Sequence, residues 1–154
     1  MKPSEIDTIH ELSPTEQDTL RCVVGRMIPP SELFGLPGGT DPAIFADILR
    51  SIGRDLSMLR AAIVALSEMA GGPLSRLSSS DQSALLSRFR LAFPELAGVL
   101  EAITVRCYYR DDRVMSSIGM ETRAPFPLGF SVPQGDWSLL EPVRSRGKIY
   151  RDAD

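Results

Sequence analysis

The sequence has a single histidine, His10, and few of the residue patterns that carry chemistry. Any histidine-dependent catalytic dyad or triad, and any metal site built from several histidines, would have to use this residue. His10 lies in a polar segment before the first predicted helix, where we expect a solvent-exposed side chain. The sequence also lacks the C-x-x-C, H-E-x-x-H, G-x-G-x-x-G and G-x-x-x-x-G-K motifs. We therefore expect this chain to contain no catalytic residue, no cofactor-binding residue and no metal ligand.

Long apolar runs and export signals are missing as well. No stretch of the sequence reaches the roughly 18 consecutive apolar residues of a membrane-spanning helix, so we expect no membrane insertion. Residues 1–11 are polar and acidic, with no apolar segment and no twin arginine, and predict no secretory or twin-arginine signal. The two cysteines, Cys22 and Cys107, lie in apolar helical stretches and are expected to be reduced core residues. These features predict a cytoplasmic protein.

Lysine is also scarce, since Lys2 and Lys148 are the only lysines and arginine supplies the remaining positive charge. The net charge is −3, which argues against a general nucleic-acid-binding protein. The length of 154 residues and the hydrophobic fraction of 43% are typical of one globular domain.

Apolar residues at helical spacing predict an all-α fold, with a single helical-bundle domain of about five to six helices over residues 1–119. Ser13 and Glu16 form a capping-box pattern at the start of the first helix. Ser78 and Asp81 repeat that pattern at a later helix, with aspartate as a shorter partner than glutamate. Gly53 either ends the second helix or only loosens it.

The segment between the first two predicted helices, residues 31–40, is rich in glycine and proline and predicts a loop. Its apolar residues Leu33, Phe34 and Leu36 are expected to anchor the loop to the core.

Near the other end of the domain, Asp111 and Asp112 predict the cap of a short helix that ends at Ile118.

Residues 120–154, the C-terminal arm, differ in texture from the rest of the chain. Four prolines interrupt regular structure, and Phe126, Phe130 and Trp137 are spaced between them. We predict an extended arm that is not an independent domain. Large aromatic side chains of this kind are enriched at protein interfaces, so these three residues are candidate partner-binding residues. Packing of the arm against its own domain is the alternative.

A second candidate partner-binding cluster is the sequence YYR at 108–110. Tyr108, Tyr109 and Arg110 have the side chains that commonly carry binding energy at interfaces. Alternatively, one tyrosine lies in the core and Arg110 pairs with a nearby carboxylate.

The order of several segments resembles the gluconate 2-dehydrogenase subunit 3 family, the small accessory subunits of flavin-dependent dehydrogenases. These segments are LSPTE at 12–16, RMIPP at 26–30, LS at 77–78 before the helix with Phe89, CYYRDDRV at 107–114 with IG at 118–119, and LLEPVRSRG at 139–147. The resemblance extends over residues 12–150, and the tyrosine pair and the closing segment are its most specific parts.

The resemblance implies an all-helical, non-catalytic subunit that binds and stabilises a large dehydrogenase of the glucose-methanol-choline (GMC) type. FAD and the catalytic residues would belong to that partner, and the two chains would form a hetero-oligomer. Many members of the family carry a twin-arginine signal, which residues 1–12 of this sequence do not resemble. A complex in the cytoplasm is therefore expected instead of escort across a membrane.

Two other classes of function remain open from the sequence alone. A stand-alone helical adaptor or regulatory protein is the main alternative, and its support is the basic segment that includes Arg144, Arg146 and Lys148. An enzyme acting alone is the other, and it has no motif in its favour.

Overall fold

In the computed structural model, the residues described are 11–124, 126–131, 134–149 and 151, and they form seven α-helices and no β-strand. The all-α prediction is confirmed. The helices are α1 (Pro14–Met27), α2 (Pro42–Ser51), α3 (Leu56–Ala70), α4 (Ser79–Ala92), α5 (Pro94–Tyr108), α6 (Asp112–Ser117) and α7 (Glu141–Ser145). The chain divides into two compact units, Met1–Thr122 with α1 to α6 and Arg123–Asp154 with α7.

The first helix begins at the capping box that the sequence predicts. The Glu16 carboxylate accepts a hydrogen bond from the Ser13 backbone N–H at 2.7 Å, and the Ser13 hydroxyl accepts one from the Glu16 N–H at 3.3 Å. Helix α4 begins differently. Ser78 still accepts from the Asp81 N–H at 3.2 Å, but the Asp81 carboxylate accepts from the Ser78 hydroxyl at 2.6 Å. The shorter aspartate side chain thus contacts the capping hydroxyl in place of the backbone.

Glycines separate the middle helices. Gly53 has a φ of 40° and begins a short 3-10 turn, Gly53–Asp55, so that α2 and α3 are distinct helices. Gly71 ends α3 in the left-handed conformation, with a φ of 68°.

At the end of the domain, Asp111 caps α6 by accepting from the Arg113 N–H at 3.0 Å, and Gly119 follows with a φ of 76°. The predicted short helix before Gly119 is confirmed.

The core of the first unit lies around α3 and α5. Helix α5 packs against α2, α3 and α4, and α3 also packs against α1. Helices α1 to α5 each contribute an apolar face with buried residues at three- or four-residue spacing, as an amphipathic helix does. The largest fully buried side chains are Phe45, Phe89, Leu20, Ile44, Ile48, Leu59, Leu66, Leu74 and Ile103.

The loop after α1 is closed by its own backbone. Ser31 and Leu36 exchange N–H to carbonyl hydrogen bonds of 3.0 and 2.9 Å, and Gly35 turns the chain with a φ of 61°. Leu36 packs against the core, but Leu33 is 85% exposed and Phe34 is 69% exposed. The expectation that all three residues anchor the loop is wrong for Leu33 and Phe34, because the closed turn directs them away from the helices.

The second unit contains a 3-10 turn, Trp137–Leu140, followed directly by α7. Asp136 caps the turn by accepting from the Ser138 N–H at 2.9 Å. Upstream, the Arg123 guanidinium donates to the Gly129 carbonyl at 2.5 Å and lies 5.5 Å from the centre of the Phe130 ring. Every described residue of this unit is exposed to solvent. None of the described helices is both long enough and apolar enough to cross a membrane.

Candidate partner-binding surfaces

Tyr108 lies in the core at the last turn of α5. Its side chain is only 6% exposed, and its hydroxyl donates a 3.1 Å hydrogen bond to the Pro37 carbonyl in the loop before α2. Burial raises the pKa of this hydroxyl, and the nearby Tyr109 and Asp111 act in the same direction. Tyr108 therefore holds the loop against α5 and presents little side-chain surface to another molecule.

Tyr109 is the C-cap residue of α5 and is 52% exposed. Its ring meets that of Tyr108 edge to face, with the ring centres 5.4 Å apart. Contact with the buried ring restrains the exposed one, so that little side-chain entropy is lost if a partner covers it. Of the tyrosine pair, Tyr109 is the residue with accessible aromatic surface.

Arg110 forms a two-nitrogen ion pair with Asp47 of α2. Its Nε and Nη2 donate to the same Asp47 carboxylate oxygen at 3.0 and 2.5 Å, and Nη2 also donates to the Ser51 hydroxyl at 2.8 Å. Burial of Asp47 raises its pKa, but hydrogen bonding and the charge of Arg110 more than offset this and leave the pKa below its usual value. This arrangement ties α5 to α2, as one of the two readings of the sequence anticipates.

A second arginine next to this pair was not identified from the sequence. Arg113 donates to both carboxylate oxygens of Asp41 at 3.0 and 2.8 Å, and also to the Asp111 carboxylate. Hydrogen bonds from Arg113 hold the pKa values of both aspartates below their usual range. No local pattern signals this contact, because Asp41 and Arg113 are 72 positions apart.

These ion pairs border an open cavity of about 370 Å³ between α2 and the end of α5. The guanidinium groups of Arg110 and Arg113 are each satisfied by aspartate, and both remain about half exposed. Because both guanidinium groups already pair with aspartate, the arrangement does not suit a site that captures an anion. In the described part of the chain, no group of three or more His, Cys, Asp or Glu residues is placed to hold a metal ion. His10 lies outside the described residues.

The three aromatic residues of the C-terminal arm are all exposed. Phe126 is 88% exposed, Trp137 is 61% exposed, and Phe130 is about half exposed beneath the Arg123 guanidinium. After Phe126, the arm contains further exposed apolar residues that were not identified from the sequence. They are Leu128, Leu139, Leu140, Val143 and Ile149, all exposed. Their signal was present in the sequence as apolar residues in a segment without helical periodicity.

The candidate residues thus fall into two sets. The first set, at the end of α5 in the first unit, is Tyr108, Tyr109 and Arg110. The second set, in the second unit, is Phe126, Phe130 and Trp137.

Comparisons with protein-family models, curated proteins and solved structures gave no match to this chain.

Proposed function

We propose that this chain is a non-catalytic small subunit that binds and stabilises a large FAD-dependent dehydrogenase of the GMC type, acting on a sugar or an alcohol. The observation that carries the binding role is the exposure of the C-terminal arm. Between residues 126 and 149, eight large apolar side chains are accessible to solvent among the residues described. Burying apolar surface is the main driving force of protein association, and such a segment gains most when another polypeptide covers it.

The identity of the partner rests on the sequence resemblance. The segments CYYRDDRV at 107–114 and LLEPVRSRG at 139–147 resemble the family of small dehydrogenase subunits and lie in the two candidate regions. FAD and the reacting groups are assigned to the partner chain. In this chain, Tyr109 with the neighbouring Arg110, and the aromatic residues of the arm, are the proposed contacts.

We place the complex in the cytoplasm. Both Cys22 and Cys107 are free thiols, which is the common state of cysteine in reducing compartments.

Purification of the tagged full-length chain from its native cell tests this function. We expect a large flavoprotein to co-purify in a fixed ratio, with the visible absorbance of FAD and dye-linked dehydrogenase activity on a sugar or alcohol. Binding to the folded state should also raise the melting temperature of both chains. A chain that elutes without flavin, and that gains no stability when co-expressed with a GMC-type flavoprotein from the same gene neighbourhood, contradicts the proposal.

A further inference from the structure

Leu33 and Phe34, here called the loop tip, form an apolar pair on a preorganised turn. The Ser31–Leu36 backbone hydrogen bonds close the turn, and Glu32 precedes the pair. The following segment is packed tightly, since a Cβ atom added at Gly38 would lie 2.9 Å from Pro30. Because the backbone is already fixed, covering the loop tip costs little conformational entropy. Neither the proposed dehydrogenase contacts nor the core uses these two side chains.

The same unit contains a groove with a mainly apolar lining. It lies between α1, α4 and α5 and has a volume of about 290 Å³. This is near the lower limit of small-molecule sites, roughly 300 Å³, and is better suited to one or two protein side chains than to a cofactor. The apolar residues that line this helix groove are Val23, Met27, Leu86, Phe89, Ala97 and Leu100.

The charges around the two features are complementary. Arg26 and Arg90 lie at the helix groove, whereas Glu32 stands beside the loop tip. Arg90 pairs with Glu101 at 3.1 Å. Arg26 is exposed, and within the described residues it has no ion pair, so it is the cation available to an incoming carboxylate.

We propose that two copies of this chain associate by inserting the loop tip of each into the helix groove of the other, with Glu32 of one copy facing Arg26 of its partner. The two features adjoin in sequence, since Met27 is the last residue of α1 and the loop closes from Ser31. An insertion surface and a receiving surface at one end of the same helix allow reciprocal exchange about a twofold axis, which gives a closed dimer instead of a filament. This inference is independent of the proposed dehydrogenase partner.

Sedimentation equilibrium on the isolated full-length chain tests the inference. We expect a concentration-dependent dimer, and Phe34→Ser should raise its dissociation constant at least about tenfold, as loss of a central apolar contact does. Glu32→Arg and Arg26→Glu should each weaken the dimer, and the double variant should restore it. Two control variants lie outside the proposed interface. Leu91→Ser removes a leucine of α4 that is as exposed as Leu33, and Phe126→Ser/Trp137→Ser alters the C-terminal arm. Both controls should dimerise as the parent chain does.

Three results would overturn the inference. One is a monomer at every concentration. Another is a dimer that Phe34→Ser leaves intact or that the arm variant abolishes. The third is a pair of charge reversals whose combination fails to restore the parent dissociation constant. Circular dichroism of each variant checks that it has folded. A folded variant that associates weakly has lost the interface and not the fold.

Discussion

Arg113 and Asp41 form a two-point ion pair that joins the start of α6 to the start of α2. Both terminal nitrogens of Arg113 donate to the Asp41 carboxylate, whose other role is to cap α2 through the Ala43 N–H at 3.0 Å. Asp111 has the same double role, since it accepts from Arg113 and caps α6. One arginine therefore links two helix caps that are far apart in sequence.

This link predicts a loss of stability in acid. The pKa values of Asp41 and Asp111 are lowered in the folded chain by hydrogen bonds from Arg113 and return to about 3.8 on unfolding. The stabilisation is therefore fully present above the unfolded-state pKa and is lost as pH falls through the folded-state values. Urea unfolding from about pH 5 downwards should show this decline, and Arg113→Gln should reduce its slope.

Arg88→Gln is the matched control for this experiment, since Arg88 is an exposed residue of α4 without an ion pair among the described residues. It should leave both the stability and its pH dependence nearly unchanged. An Arg113→Gln chain with the same pH dependence as the parent would contradict this account of the two caps.

Replacement of Thr104 by valine should stabilise the chain. The Thr104 hydroxyl is buried in α5 and has no hydrogen-bond partner among the residues that the structure describes. Replacing an unsatisfied buried hydroxyl by a methyl group removes a desolvation cost, and we expect a gain of about 1 kcal/mol in the free energy of unfolding. Thr19 is the matched control, because its hydroxyl donates to the Thr15 carbonyl at 3.2 Å. If Thr19→Val proves as favourable as Thr104→Val, the missing partner is not the cause.

Phe89 and Leu91, two positions apart on α4, should respond very differently to truncation. Phe89 is 2% exposed, whereas Leu91 is 85% exposed. Phe89→Ala creates a core cavity and should cost about 3–5 kcal/mol of stability, while Leu91→Ala should change it by less than about 0.5 kcal/mol. Chemical denaturation of both variants measures the difference. Similar losses for the two would mean that the buried face of α4 is wrongly assigned.

The two cysteines should differ in reactivity toward iodoacetamide. Cys107 is 1% exposed, so it should be alkylated only when the chain unfolds. Cys22 is partly buried, and desolvation together with the charge of Asp18 raises its pKa, so we expect slow alkylation near neutral pH. Mass spectrometry over time separates the two sites. Rapid labelling of Cys107 in the folded chain would contradict its placement in the core.

Local signals predicted most of the helical architecture. Ser13 with Glu16 caps α1, Asp111 caps α6, and Gly119 follows the end of α6. Sequence predicts these features because they depend on residues two to four positions apart. Whether Gly53 ends a helix was open in the sequence, since either outcome satisfies the spacing of the apolar residues around it.

The choice between the two tyrosines was also within reach of the sequence. The buried residues Leu100, Ile103, Thr104, Cys107 and Tyr108 follow the spacing of one helix face. That face includes Tyr108 and excludes Tyr109. Applied to the end of α5, the pattern identifies Tyr108 as the core residue.

Contacts between distant parts of the chain were not predictable in this way. The pairing of Arg110 with Asp47 depends on how the end of α5 lies against α2, and that of Arg113 with Asp41 on how the start of α6 lies against α2. No single segment encodes either arrangement. The loop tip was misjudged for a related reason. Apolar composition indicates that a loop residue gains from burial, but the turn geometry decides whether Phe34 can reach the core.

The exposed side chains of the C-terminal arm are the proposed contacts with the dehydrogenase subunit. The most direct test titrates the purified GMC-type flavoprotein with the full-length chain and compares Phe126→Ser/Trp137→Ser with the control Leu91→Ser. We predict that the arm variant loses at least about tenfold in affinity, because large buried aromatic residues dominate such interfaces, while the control binds like the parent. Equal binding by all three chains, or no binding by the parent chain, would contradict the account.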